Sequence, residues 1–191
     1  MLNPDTVVRL CAAFPVGIWP DVSAALIHVP PCDLAPTEAN IGPVRIAGED
    51  LQIPYRIYSA EPESGIRKGL SRQQGLILNA LFTRHHDGHV RQKYVKLLLQ
   101  AEELWLPPFV IQMLGEYVVE IVQVLELHLA DISKEFYIQF LNGNQPFFSL
   151  LRSRLVSYWD CYYRLQFPRL EDYPAFRVAE YLEASRRHKF A

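Results

Sequence analysis

Two regimes of hydrophobic spacing divide the chain. Up to residue 70 the apolar residues sit in short runs cut by proline, and from Ser71 onward they recur every three or four positions. The first regime holds Val7 to Phe14 and Val22 to Val29, on a path marked by Pro4, Pro15, Pro20, Pro30, Pro31 and Pro36. Each piece is at most a short helix or strand. Beyond them VRIA and LQIPYRIY alternate around Gly48-Glu49-Asp50, which predicts a β-hairpin over about 43–58. Pro54 cannot donate a ladder hydrogen bond, so the second arm is expected at an edge. Two strands alone are marginal in water, so the hairpin is expected to pack on helices.

In the second regime Ser71 and Gln74 form a capping box, and Leu76, Ile77, Ala80 and Leu81 make one face of a helix ending near Arg84. Asp87-Gly88 marks a turn, after which Val90, Tyr94, Leu97, Leu98 and Ala101 define a second amphipathic helix. Pro107-Pro108 suits the first turn of a third helix, expected to run to about His128. That segment is apolar almost all round, except for a polar stripe of Gln112, Glu116, Glu120 and Gln123 expected to face solvent. A fourth, short helix is expected over Ile132 to Leu141, and Asn144 is expected to cap the next. There Phe148, Leu151, Leu155, Tyr158, Tyr162 and Leu165 make a heptad-like seam, read as core or as a contact with a second copy of the chain. A closing helix from about Pro174 to Arg187 ends in Arg186, Arg187, His188 and Lys189, the favourable sign for a helix C-terminus. The expected fold is mainly α: stacked antiparallel helices, with a small N-terminal β-hairpin and a Pro-rich irregular N-terminal region. Residues 1–70 are expected to pack on the helical body 71–191 as one compact domain.

Composition narrows the function classes. Across 191 residues half are hydrophobic and the formal net charge is -2, the profile of an ordinary globular protein rather than a strongly basic nucleic-acid binder. Cys11, Cys32 and Cys161 are odd in number and widely spaced, which argues against a disulfide framework and for a reducing cytoplasm. Neither a leader nor a membrane span is expected, because Asp5, Arg9 and Asp21 interrupt the N-terminus, and Glu116, Glu120 and Glu126 charge the most apolar stretch.

Candidate chemistry concentrates in TRHHDGHVRQK, residues 83–93. His85, His86, Asp87 and His89 are metal-ligand types, but zinc needs donors converging at about 2.0–2.3 Å. Neighbouring helical positions point about 100° apart, so the set converges only if the corner is unwound. Otherwise Asp87 caps the second helix, and the histidines are solvated or bonded to nearby carbonyls. Glu116 and Glu120, one turn apart, are read as a solvated stripe, as a buried salt bridge with Arg91 or Lys93, or as a functional carboxylate. Local nucleophile and phosphate-loop motifs are missing from the chain. The Arg and aromatic mixture in RSRLVSYWDCYYRLQFPR could stack on bases, but Asp160, Glu171 and Asp172 dilute its charge.

Two resemblances attach to the same corner. LNALFTRHHDGHVRQKYVKLLLQ, within residues 76–100, resembles one helical hairpin of HEAT-type repeat proteins. The resemblance implies structural roles for Asp87, Gly88, Val90 and Arg91: capping, turning, packing between the helices, and reaching neighbouring backbone or carboxylates. NALFTRHHDGHV also resembles the core motif of HD-type phosphohydrolases, which implies His86-Asp87 as a metal-binding pair and Asp131 as the distant final aspartate. That family needs a further ligand histidine upstream, where this chain has His28 alone. Taken together, the expectation is a non-enzymatic cytoplasmic interaction or scaffold module without a cofactor, its partner a protein or a second copy. The alternatives are a divalent-metal phosphohydrolase and a nucleic-acid binder.

Overall fold

A computed structural model describes residues 1–38, 42–63 and 65–188. Lys189, expected as the last cation of the closing helix, lies outside the described residues.

The N-terminal region is more regular than its prolines suggest, because they fall where helices tolerate them. Pro4 and Pro20 occupy first-turn positions of α1 (Pro4–Cys11) and α2 (Trp19–Leu26), where no amide hydrogen is needed. Asn3 caps α1 by accepting from the Asp5 N–H at 2.9 Å. The hairpin is shorter than expected: β1 (Val44–Ile46) pairs antiparallel with β2 (Glu49–Leu51), Val44 opposite Leu51. Its turn is Ala47-Gly48, both with positive φ (50° and 87°), the backbone that two-residue hairpin loops require.

Residues beyond β2 leave that ladder and bond elsewhere. The Gln52 N–H donates to the Ala12 carbonyl, and Thr37 and Arg56 form an antiparallel bridge. On the other side Ile57 pairs in parallel with His85, through Ile57 N–H to the Arg84 carbonyl at 2.8 Å and His86 N–H to the Ile57 carbonyl at 3.0 Å. The arm therefore ties the N-terminal region to the first helical corner.

The helical body is α3 (Arg72–Phe82), α4 (Gly88–Leu98), α5 (Pro107–Ile111), α6 (Val119–Leu127), α7 (Leu129–Ile132), α8 (Glu135–Gly143), α9 (Gln145–Tyr158) and α10 (Pro174–His188). The Ser71-Gln74 capping box is formed at the start of α3. α3 packs on α2 and α4, α4 packs on α6, and α10 packs on α6, α8 and α9, so one core runs from Leu10 to Leu182. Burying each Leu, Phe or Val of that core contributes about 1.5–3 kcal/mol. Among the described residues no helix is long and apolar enough to cross a membrane.

Four expectations are corrected. The single helix from Pro107 to His128 is broken: α5 tightens into a 3-10 turn over Gln112–Gly115, and Glu116 is extended (φ -92°, ψ 145°) before α6 begins. At the break, a Cβ on Gly115 would stand 2.8 Å from Leu151 of α9, so glycine permits the close approach. The polar stripe dissolves with the helix: Gln112 and Glu116 are buried, while Glu120 and Gln123 are exposed on α6. The segment expected as one helix around Ile132 to Leu141 divides into α7 and α8. Asn144 does not cap α9 with its side chain; it accepts from the Arg45 N–H at 2.7 Å and donates to the Arg45 and Phe140 carbonyls, clamping β1 to the helical body.

The seam on α9 is inward only as far as Leu155. A π-helical turn over Trp159–Tyr163 inserts extra backbone and shifts the phase. Trp159 and Tyr163 then pack against the core, while Tyr162 and Leu165 turn outward at 67% and 100% exposure.

Candidate functional site

The α3–α4 corner and the break at Glu116 meet in a buried charge node. Arg84 continues the apolar face of Ile77, Ala80 and Leu81 one turn beyond α3, so its guanidinium is carried inward. Arg91 lies on the buried face of α4 with Tyr94, Val95 and Leu98. The arm brings Arg56 from a third direction. All three converge on the Glu116 carboxylate: Arg56 at 2.8 Å, Arg91 at 3.1 Å and Arg84 at 3.6 Å, with side-chain exposures of 9%, 0% and 0% against 2% for Glu116.

Arg91 also donates from Nη1 to the His85 and His86 carbonyls, both at 2.8 Å, and so holds the corner closed. Arg56 donates to the Tyr55 carbonyl and lies 4.1 Å over the Tyr55 ring, a cation–π contact. Arg84 is the least satisfied. Its polar contacts beyond Glu116 are the Thr83 hydroxyl at 3.4 Å and the Met113 sulfur at 3.3 Å, and its Nη1 is buried without a partner. Burial pushes the Arg84 guanidinium down to about 9; Glu116 opposes that shift, and Arg56 and Arg91 add to it. At neutral pH it remains a cation.

The expected ligand set does not converge. Asp87 caps α4, accepting from the His89 N–H at 2.7 Å, which holds its carboxyl below the usual carboxylate range. His85 is buried, its Nδ1 accepting from the Asp87 N–H at 3.1 Å, and its ring contacts Phe82 and His86. Burial lowers the His85 pKa from its ordinary value, and a backbone group of Ser59 engages the ring as well. His86 is exposed and stacks on Tyr58 at 5.6 Å, and His89 is exposed. Asp131 pairs with Lys134 on the α7–α8 connection. Among the described residues no three His, Cys, Asp or Glu side chains gather where they could hold a metal ion. Gly88 turns at the start of α4, where a Cβ would come within 3.3 Å of Val118, and Val90 packs against the core edge. Lys93, the other partner considered for the carboxylates, instead pairs with Glu61.

Beside the node lies an aromatic face. Tyr117, immediately after Glu116, contacts Tyr158 with ring centroids 6.3 Å apart, and Tyr158 contacts Tyr162 at 6.1 Å. Burial raises the Tyr158 hydroxyl above its usual range, with Tyr55 and Glu116 adding to that shift and Arg154 opposing it. Leu165, fully exposed, lies in the turn that follows the π-helical segment, two residues past Tyr163. Of the cations in the stretch considered for nucleic acid, Arg152 faces Glu180, Arg164 faces Asp160 and Arg169 faces Asp172.

Reasoning from sequence missed Arg56, Arg84 and the tyrosines around them. A signal was present: Arg84 and Arg91 both fall in phase with buried positions, at i+3 from Leu81 and i-3 from Tyr94. No protein-family model matches the chain, and no curated protein or solved structure matches it.

Proposed function

We propose that this protein is a non-enzymatic protein-interaction module whose contact face is the aromatic surface at the end of α9. The observation that carries this reading is the exposure of Tyr162, within the π-helical turn, and of Leu165, just past the helix end, with Tyr162 continuous through Tyr158 with the exposed ring of Tyr117. Large apolar side chains held together at a surface contribute most when a partner covers them, and tyrosine is enriched where partners bind. π-helical turns also concentrate at functional positions. The polar groups of the corner are committed to local structure, which supports a structural rather than a catalytic role for His85 and Asp87.

The test is a photo-crosslinking phenylalanine analogue placed at Tyr162, with Ile27, 72% exposed at the end of α2, as the control position. Discrete adducts at position 162, to a second copy or another protein, that vanish when Leu165→Asp is added support the reading. Adducts no different from those at position 27 overturn it. So does metal-dependent hydrolysis of phosphate esters that is lost in His86→Ala, which establishes the phosphohydrolase alternative instead.

A further inference from the structure

The charge node carries more positive charge than its carboxylate can balance. Arg56, Arg84 and Arg91 face Glu116, and among the described residues no other carboxylate lies within 4 Å of these guanidiniums. Two formal positive charges are left in surroundings from which water is nearly excluded, where an unbalanced ion is costly. The donors are unbalanced as well. Arg84 Nη1 and Arg91 Nε are buried without a hydrogen-bond partner, and both belong to this one node.

Guanidiniums present planar, paired N–H groups that match the oxygen spacing of a phosphate or carboxylate. Arg56 is the member of the node with access to solvent, and Tyr55 and Tyr158, whose hydroxyls interact, lie beside it. Phenol hydroxyls donate well to anionic oxygen. We propose that the node binds a phosphate dianion, free or as a phosphate monoester, which enters past Arg56 and meets Arg84 behind it. The charge sets the class: two negative charges bring the node to neutrality, and a single carboxylate reaches only halfway. The site stands apart from the protein-contact reading, since it concerns the isolated chain.

The experiment is isothermal titration of the full-length protein with inorganic phosphate, at a pH where phosphate is mostly dianionic and with ionic strength held constant by sodium chloride. Acetate is titrated in parallel, and thermal unfolding is followed over the same concentrations. The expected result is one saturable phosphate site with a matching rise in melting temperature, and acetate binding at least about tenfold weaker. Arg56→Gln weakens phosphate by about tenfold or more, the size of one lost charge-assisted contact, and Arg72→Gln, at an exposed pair with Glu103, leaves it unchanged. If Arg56→Gln does not hold its fold, Arg56→Lys keeps the charge, loses the paired donors and is expected to bind more weakly than wild type. Absence of saturable binding, equal binding of acetate, or full affinity in a folded Arg56 variant overturns the proposal.

Discussion

Replacing Glu116 with glutamine removes one charge and almost no volume. The variant keeps an amide oxygen that can accept from Arg56, but leaves three buried guanidiniums without a counter-ion. At an effective dielectric of about 20, each guanidinium–carboxylate attraction at these separations is about 4 kcal/mol. Much of that is offset by the cost of taking the carboxylate out of water. Removing one partner of a buried ion pair typically costs about 3–5 kcal/mol, and here one removal strands three partners, so the upper part of that range is expected. Total stabilities are about 5–15 kcal/mol, so Glu116→Gln should leave a marginal fold. Urea unfolding followed by circular dichroism measures it, with Glu120→Gln on the exposed face of α6 as a control expected within about 0.5 kcal/mol of wild type. Adding Arg84→Met to Glu116→Gln should recover about 1 kcal/mol or more, because Arg84 is the guanidinium with the poorest contacts. A loss below about 1 kcal/mol for Glu116→Gln would refute the view that this carboxylate holds the node together.

Three further outcomes follow from single sites. His85 is lowered by burial, so the unfolded chain takes up its proton first as pH falls; stability contributed by neutral His85 is present above the unfolded value near 6.5 and is lost as pH falls through it. His85→Phe keeps the ring contact with Phe82, and should flatten the pH dependence of the urea midpoint in that window; an unchanged slope excludes His85 as its source. Asn144→Ala removes the clamp on β1 and should cost about 1–3 kcal/mol, with loss of amide-exchange protection at Arg45; retained protection contradicts it. The Tyr137 hydroxyl is buried without a partner, so Tyr137→Phe should unfold at the same or a higher urea concentration than wild type, and a clear loss would reveal a contact with that hydroxyl.

How much of this was legible beforehand depended on whether a residue's usual behaviour held. The α3–α4 corner was readable because Ser71, Gln74, Asp87 and Gly88 act through local backbone chemistry, which spacing reveals. The face of α4 was readable from its apolar residues, since Tyr94, Leu98 and Ala101 are buried and Val90 and Leu97 pack against the core; Arg91, expected to reach neighbouring backbone or carboxylates, does so from the buried face beside Val95. Arg84 was hidden because a cation is ordinarily solvated; for Glu116 the solvated stripe was one reading and a buried pair with Arg91 another, and it is the pair that forms. Glu116 leaves helical geometry to reach three cations supplied from three separate segments, and such a long-range balance has no local signature. The outward placement of Tyr162 and Leu165 was hidden likewise, since a heptad-like count assumes an unbroken α-helix, whereas Tyr162 sits in the π-helical turn and Leu165 beyond the helix end.

The most direct test of the functional account pairs two measurements on one variant, Leu165→Asp. Leu165 is fully exposed, so the account predicts an unchanged urea midpoint together with loss of the adduct formed by the crosslinker at position 162. An adduct that persists at full yield in the folded variant would contradict the claim that this aromatic face is where the protein meets its partner.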